Sequence, residues 1–208
     1  FALRWCKNND VIVGSRDASR ATDAAREYTE LANQTYGQIS GSISGNDNTA
    51  VSKESDVLIL SIPYENIDSL CSQILPEVKD SCVVVSPIVP MTKTDVGFEF
   101  IPMKDKKPFS YELVLKYMKN KQNLVSAFHV ISEKKLVNPS LELDYDIFVC
   151  GDSKDAVEVV NGLINEIKGL RPIYLGPGEL SYMAEIATPL LLNAMIKNKI
   201  KNPGIKII

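Results

Sequence analysis

Histidine is almost missing from this chain. His129 stands alone among 208 residues, which makes a metal centre built from histidines untenable. Cysteine is sparse as well: Cys6, Cys71, Cys82 and Cys150 are scattered, with no CxxC pair and no Cys/His cluster. They read as reduced thiols of a cytoplasmic protein, neither a disulfide frame nor zinc ligands. Neither sign of charge is in excess. Lys and Arg number 23 against 26 Asp and Glu, a net charge of −3, which argues against nucleic acid as the main partner because phosphate binding wants a basic face. The most apolar stretches, residues 57–63, 82–91 and 187–196, fall far short of the roughly 20 residues of a spanning helix. No secretory signal is expected from the opening residues. GxSxG is absent, so the nucleophile elbow of hydrolases is excluded. A phosphate-cradling loop is absent too, since Gly41-Ser42-Ile43-Ser44-Gly45 is not GxGxxG and follows no strong strand.

What is present is globular. Apolar residues make up 45% and charged residues 24%, near the average for a packed domain. Val11-Ile12-Val13 is a β-branched run closed by Gly14, which predicts a buried strand. Ala18, Ala21, Ala24, Ala25, Tyr28, Leu31 and Ala32 recur at helical spacing and predict a helix over 18–36. Residues 57–62 and 82–85 are apolar on both faces, as central parallel strands are, and each run is followed closely by proline. A helix fits 65–75, a strand 124–130, a strand 145–150, a helix near 157–167 and a short strand 173–175. Residues 91–107 read as a long loop, 39–43 as a short strand, and Asp144 and Asp146 as surface alternation on a strand edge. Residues 180–197 predict a deeply buried helix kinked at Pro189. This alternation predicts an α/β fold: a doubly wound parallel sheet of Rossmann type. The expected division is a dinucleotide-binding domain over 1–131 and a smaller C-terminal α/β part over 132–208.

In such a sheet ligands sit beyond the carboxyl ends of the strands. After the first strand come Ser15 and Arg16, with Arg20 one helical turn on and no acid at the strand end. Two guanidiniums and a hydroxyl suit a 2′-phosphate, the group that separates NADP from NAD; a solvated helix start explains the same residues without a ligand. The next strand ends carry Ser61-Ile62-Pro63-Tyr64 and Ser86-Pro87-Ile88-Val89-Pro90. Proline ends the ladder and stiffens the loop, and two rigid apolar loops side by side suit a stacked planar ring. His129 closes the expected strand 124–130, a position where a lone histidine is ordinarily a hydrogen-bonded core residue.

Several stretches, in order along the whole chain, resemble the NADPH-dependent reductases of the deazaflavin coenzyme F420: VIVGSR at 11–16, LSIPY at 60–64, VVSPIVP at 84–90, VSAFHVI at 125–131, VCGD at 149–152, GLRP at 169–172, and 189–193 followed by Gly204-Ile205-Lys206. The oxidoreductase domain of vertebrate membrane ferric reductases is a more distant likeness. The family begins about 20 residues earlier, with a strand and a glycine-rich loop. The residues at 1–8 would then be the tail of the first crossover helix, and the chain as it stands is expected to bind NADP weakly. The resemblance implies that Ser15, Arg16 and Arg20 hold the 2′-phosphate of NADP. It implies that Tyr64, Val89 and the backbone at Glu133 line the rest of the dinucleotide site, and that His129, Ile131 and the stretch at Pro203 border the deazaflavin. Ser132, Glu133 and Pro203 stand where the family typically has Pro, Ala and Leu. The implied activity is hydride transfer between NADPH and the deazaflavin, with no metal and no essential acid or base, and with small-molecule partners. A dimer would cover the apolar C-terminal segments. A flavin, ferric or imine reductase of the same build, and a non-catalytic NADP-sensing module, remain open alternatives.

Overall fold

A computed structural model describes residues 1–201 and 203–208. In chain order the elements are α1 (Ala2–Trp5), β1 (Val11–Ser15), α2 (Ala18–Tyr36), β2 (Ile43–Asp47), α3 (Asn48–Glu54), β3 (Val57–Ile59), α4 (Ile67–Ile74), β4 (Val83–Ser86), β5 (Met91–Lys93), β6 (Phe98–Phe100), α5 (Ile101–Asp105), α6 (Ser110–Leu115), β7 (Leu124–Ser126), α7 (Glu133–Leu136), β8 (Tyr145–Gly151), α8 (Lys154–Asn165), β9 (Leu170–Gly176) and α9 (Ser181–Asn198). No helix of the described residues is long and apolar enough to cross a membrane.

Five strands form one sheet in the order β3-β4-β7-β8-β9, while β1 and β2 pair in a separate parallel ribbon. β3, β4 and β7 run parallel, β8 runs antiparallel to β7, and β9 is parallel to β8. The expected parallel winding holds through β7; the reversal at β8 is a correction. The alternating pleat sends Val83, Val85 and Val125 to one face and Leu58, Val84 and Leu124 to the other. Trp5 of α1 and Val157, Val160 and Ile164 of α8 cover the first face. Val51 of α3, Ile67, Cys71 and Ile74 of α4, and Val114 of α6 cover the second. Helices on both faces explain why these strands read as continuous apolar runs. α2 lies close on β2: a Cβ on Gly45 would sit 2.2 Å from the backbone of Ala21, so only glycine allows that approach.

Other expectations change. Residues 91–107, expected as loop, form the β5–β6 hairpin and α5, and Thr94 and Gly97 exchange backbone hydrogen bonds across its turn. The strand expected at 39–43 lies instead at Ile43–Asp47, after the Ser40-Gly41 bend. β7 stops at Ser126 because Phe128 takes a left-handed backbone (φ 69°), rare for an aromatic residue; Trp5 and Phe1 pack edge-on against its ring. α9 is less buried than its apolar sequence predicts. Pro189 lies inside it as expected, and Ala184, Glu185 and Ala187 face inward, but Met183 and Leu190 are 48% and 62% exposed. Its apolar residues surround the helix, so they cannot all face one neighbour.

Asp146 is also corrected. It is fully buried, because β8 has β9 on one side and, past the end of β7, the C-terminal residues on the other. The Asp146 N–H donates to the Ile205 carbonyl at 2.8 Å. Gly204 lies against the Tyr145 ring so closely that a Cβ would meet Cε1 at 1.7 Å.

Candidate functional site

The carboxyl ends of β3, β4 and β7 share one edge of the sheet, since the three strands are parallel. The loops at 60–64, 87–90 and 127–133 therefore emerge together. At the end of β1, Ser15 is half-buried and Arg16 exposed, and Arg20 is exposed in the first turn of α2. Asp17 caps α2, accepting from the Ser19 N–H at 2.9 Å and the Ser19 hydroxyl at 2.7 Å. Those bonds hold its carboxyl below the usual range, so it remains a helix cap. Among the described residues, no ion pair within 4.0 Å engages Arg16 or Arg20. Both guanidiniums stand beside the amino end of a 19-residue helix, a place that favours an anion.

Ile62 is half-buried and Pro63 exposed, and Pro63 opens a 3₁₀ turn over Tyr64–Asn66. The Tyr64 hydroxyl donates to the Pro108 carbonyl at 2.7 Å, which ties the 60–64 loop to the segment before α6. Val89 is half-buried between buried Ile88 and Pro90.

A cavity of about 390 Å³ opens beyond β7, lined by His129, Ile131, Ser132, Glu133, Thr188 and Pro203 among others. Its size falls within the roughly 300–1,000 Å³ of small-molecule sites. It gathers His129, Ile131, Glu133 and Pro203, residues far apart in sequence. Ser15, Arg16, Arg20, Ile62, Pro63, Tyr64 and Val89 are not among its lining. Met91, Thr188, Leu191, Leu192 and Met195 line it without having been expected; a threonine inside the apolar run before Pro189 was the available signal. The Thr188 hydroxyl donates to the His129 carbonyl at 2.7 Å, fixing the turn that bears the histidine.

His129 is buried, with Nε2 3.4 Å from the Ser126 hydroxyl and Nδ1 without a partner among the described residues; the buried Ser86 hydroxyl is likewise unpartnered. Burial pushes the imidazole down to about 3, so it is neutral across the physiological range. Nδ1 itself is sealed from solvent, and a backbone contact at Ser86 offsets only part of the effect of burial. All four cysteines are buried and free. Burial raises the Cys71 and Cys150 thiols to about 12 and Cys82 to about 11, so none is a thiolate nucleophile near neutral pH.

Sequence reasoning passed over Glu185, which sits fully buried in α9. Its carboxylate accepts from the Ser110 N–H at 2.9 Å and the Tyr111 N–H at 3.1 Å, the first amides of α6. It thereby links the helix that lines the cavity to the segment that receives Tyr64.

Three parallel strands ending beside an apolar cavity, with helices on both faces and Arg16 and Arg20 following β1 of the neighbouring ribbon, define a Rossmann-like α/β fold. Comparison makes the assignment specific. Residues 1–90 match the family described as NADP oxidoreductase coenzyme F420-dependent. The chain is 37% identical over 207 residues to the F420-dependent NADP reductase of Methanocaldococcus jannaschii, covering 100% of this chain and 91% of that protein. It is 31% identical over 209 residues to the F420-dependent NADP reductase of Methanothermobacter thermautotrophicus, covering 100% and 88%. In structure it resembles a putative F420-dependent NADP-reductase from Arthrobacter sp. FB24, with a TM-score of 0.72 at 14% identity over 99% of this chain and 94% of that one. The chain belongs to the coenzyme F420-dependent NADP oxidoreductase family.

The Glu185 carboxyl, raised by burial to about 8 from 4.5, generates a pH test. Between those values the folded state holds a proton that the unfolded state releases, so its contribution to stability declines as pH rises through that window. Denaturant unfolding of Glu185→Gln should gain on wild type progressively from about pH 5 to pH 8. A difference between the two that does not change with pH would contradict this assignment.

Proposed function

We propose that the chain is an oxidoreductase passing hydride between NADPH and the deazaflavin coenzyme F420, with the two ligands meeting at the carboxyl edge of the sheet. The observation that carries the reading is the cavity itself: His129, Ile131 and Pro203, the residues expected to border the deazaflavin, line one chamber. Relatives matched along the whole chain are named for this reaction. When bound, the two cofactors supply the redox chemistry, hydride passing between the nicotinamide and the deazaflavin ring.

The protein's part is to orient and to keep water out. Ser15, Arg16 and Arg20 would hold a 2′-phosphate at the start of α2. Pro63 and Val89 would present stiff apolar walls to the dinucleotide, with Tyr64 fixed by its bond to the Pro108 carbonyl. His129, uncharged and held through Thr188, would form part of the wall beside the deazaflavin without taking part in proton transfer. Glu133, exposed at the cavity wall, would place a carboxylate near the acceptor and its backbone toward the dinucleotide. The division into a dinucleotide-binding part over 1–131 and a smaller part over 132–208 fits these roles, with the second part supplying Pro203 and α9.

We also propose a homodimer, its interface a groove of about 500 Å³ lined by Phe98, Phe100, Met103, Ile186, Pro189 and Leu190. Met103 is 74% exposed and Leu190 62%. The Glu99–Lys104 pair beside the groove offers both signs of charge, which a two-fold contact between identical faces can match.

Two experiments follow. Calorimetric titration should show NADP bound more tightly than NAD, and the Arg16→Ala, Arg20→Ala double variant should lose about tenfold to hundredfold for NADP alone. Equal affinities for the two nucleotides in the wild type would sink the clamp. In sedimentation, the wild type should run as a dimer and Leu190→Glu as a monomer; a monomeric wild type would overturn the interface.

A further inference from the structure

Nothing in the chemistry of hydride transfer calls for a buried aspartate at the amino end of β8, yet Asp146 is fully buried there. Its carboxylate takes a two-pronged ion pair from Arg171 on β9: Nε donates to Oδ1 at 2.8 Å and Nη2 to Oδ2 at 2.7 Å. The same Oδ2 accepts from the Ile207 N–H at 2.6 Å. The arginine's Nη2 also donates to the Ile207 carbonyl at 2.6 Å. With the bond from the Asp146 N–H to the Ile205 carbonyl, Ile207 is held at both its N–H and its carbonyl and Ile205 at its carbonyl. A bidentate guanidinium–carboxylate pair fixes direction as well as distance, and its burial on the carboxylate side makes a missing partner costly.

This anchoring has a spatial consequence. β7 ends at Ser126, and the C-terminal residues take up its place along β8, at the end of β8 that lies past β7's carboxyl end. Gly204 is pressed on the Tyr145 ring, and the next residue back, Pro203, lines the cavity. The cavity wall is thus set by a segment with no helix or regular strand of its own. Its fixed points are Asp146, Arg171 and the Tyr145 ring, with Lys206 paired to Asp144 at 2.6 Å beside them.

We infer that Asp146 and Arg171 are positioning residues for the acceptor site: their clamp on the C-terminal residues seats Pro203 in the cavity wall and thereby sets how tightly the deazaflavin is held. The inference rests on the reading of that cavity as the deazaflavin site. Neither residue touches the cavity, so the effect is on the acceptor and not on NADP.

The test uses the full chain as wild type, Asp146→Asn and Arg171→Lys. Deazaflavin binding is followed by the ligand's own fluorescence, NADP binding by calorimetry, and protection of the Ile207 amide by hydrogen exchange with mass spectrometry. The expected result is a loss of deazaflavin affinity of about tenfold in Asp146→Asn and a smaller loss in Arg171→Lys, which keeps the charge without the fork. NADP affinity should stay within about twofold, and exchange at the Ile207 amide should quicken in both variants. Unchanged deazaflavin affinity in both variants, beside a wild type that binds it, overturns the clamp and leaves the functional reading standing. Equal losses for deazaflavin and NADP also overturn it, because they mark a general structural role. A wild type that does not bind the deazaflavin overturns the functional reading and this inference with it. If Asp146→Asn does not fold, Arg171→Lys decides between these outcomes.

Discussion

Parallel hydrogen bonding of β3, β4 and β7 is the constraint on which the rest of the molecule depends. Three parallel strands must all end at the same edge, so the loops that follow them have to converge there whatever their sequences. That single geometric fact brings Pro63, Val89 and His129 to one side of the protein. It also explains the layers: parallel strands need crossovers, the crossovers are helices, and the two faces of the sheet become the two principal cores. The antiparallel β8 then closes the sheet from the other direction. Its amino end lies past the end of β7, which leaves room for the C-terminal residues to complete the cavity.

His129, Glu185 and Asp146 are buried around this edge, and each is accommodated differently. His129 is kept neutral, because burial outweighs a backbone hydrogen bond at Ser86 and, among the described residues, no charge stands near. Glu185 has two backbone donors, but burial outweighs them and its carboxyl is raised. Asp146 meets a guanidinium and a backbone amide, and there the hydrogen bonds prevail over burial and hold the carboxyl below its usual range. The first brings no charge to the cavity it lines. The other two fasten segments that carry site residues, Glu185 through α6 toward Tyr64 and Asp146 through the C-terminal residues toward Pro203.

Much of this was legible in the sequence where a pattern is local. The alanines of α2 recur at helical spacing and predicted its range from Ala18 to Tyr36; the valines of β4 could hardly be anything but a buried strand. The family resemblance implied His129, Ile131 and Pro203 as neighbours of one ligand, and the three line one cavity. What escaped depended on tertiary neighbours. Asp146 alternates like a surface residue, and only the arrival of Arg171 and Ile207 makes it buried. Glu185 is a single acid in an apolar helix, a visible oddity whose partners at 110 and 111 lie some 75 residues away. The left-handed turn at Phe128 follows from packing against Trp5, since no local preference favours it. The β5–β6 hairpin was hidden because three-residue strands leave almost no periodicity to read.

The claim at the centre is that the edge of the sheet brings the two ligands together with water shut out, so that hydrogen moves between them directly. Single turnover with NADPH carrying deuterium at the transferred position of the nicotinamide tests this most sharply. Mass spectrometry of the reduced deazaflavin should find the label retained in full when the reaction is run in ordinary water. Loss of the label to solvent, or reduction that proceeds without the label reaching the deazaflavin at all, would contradict the account.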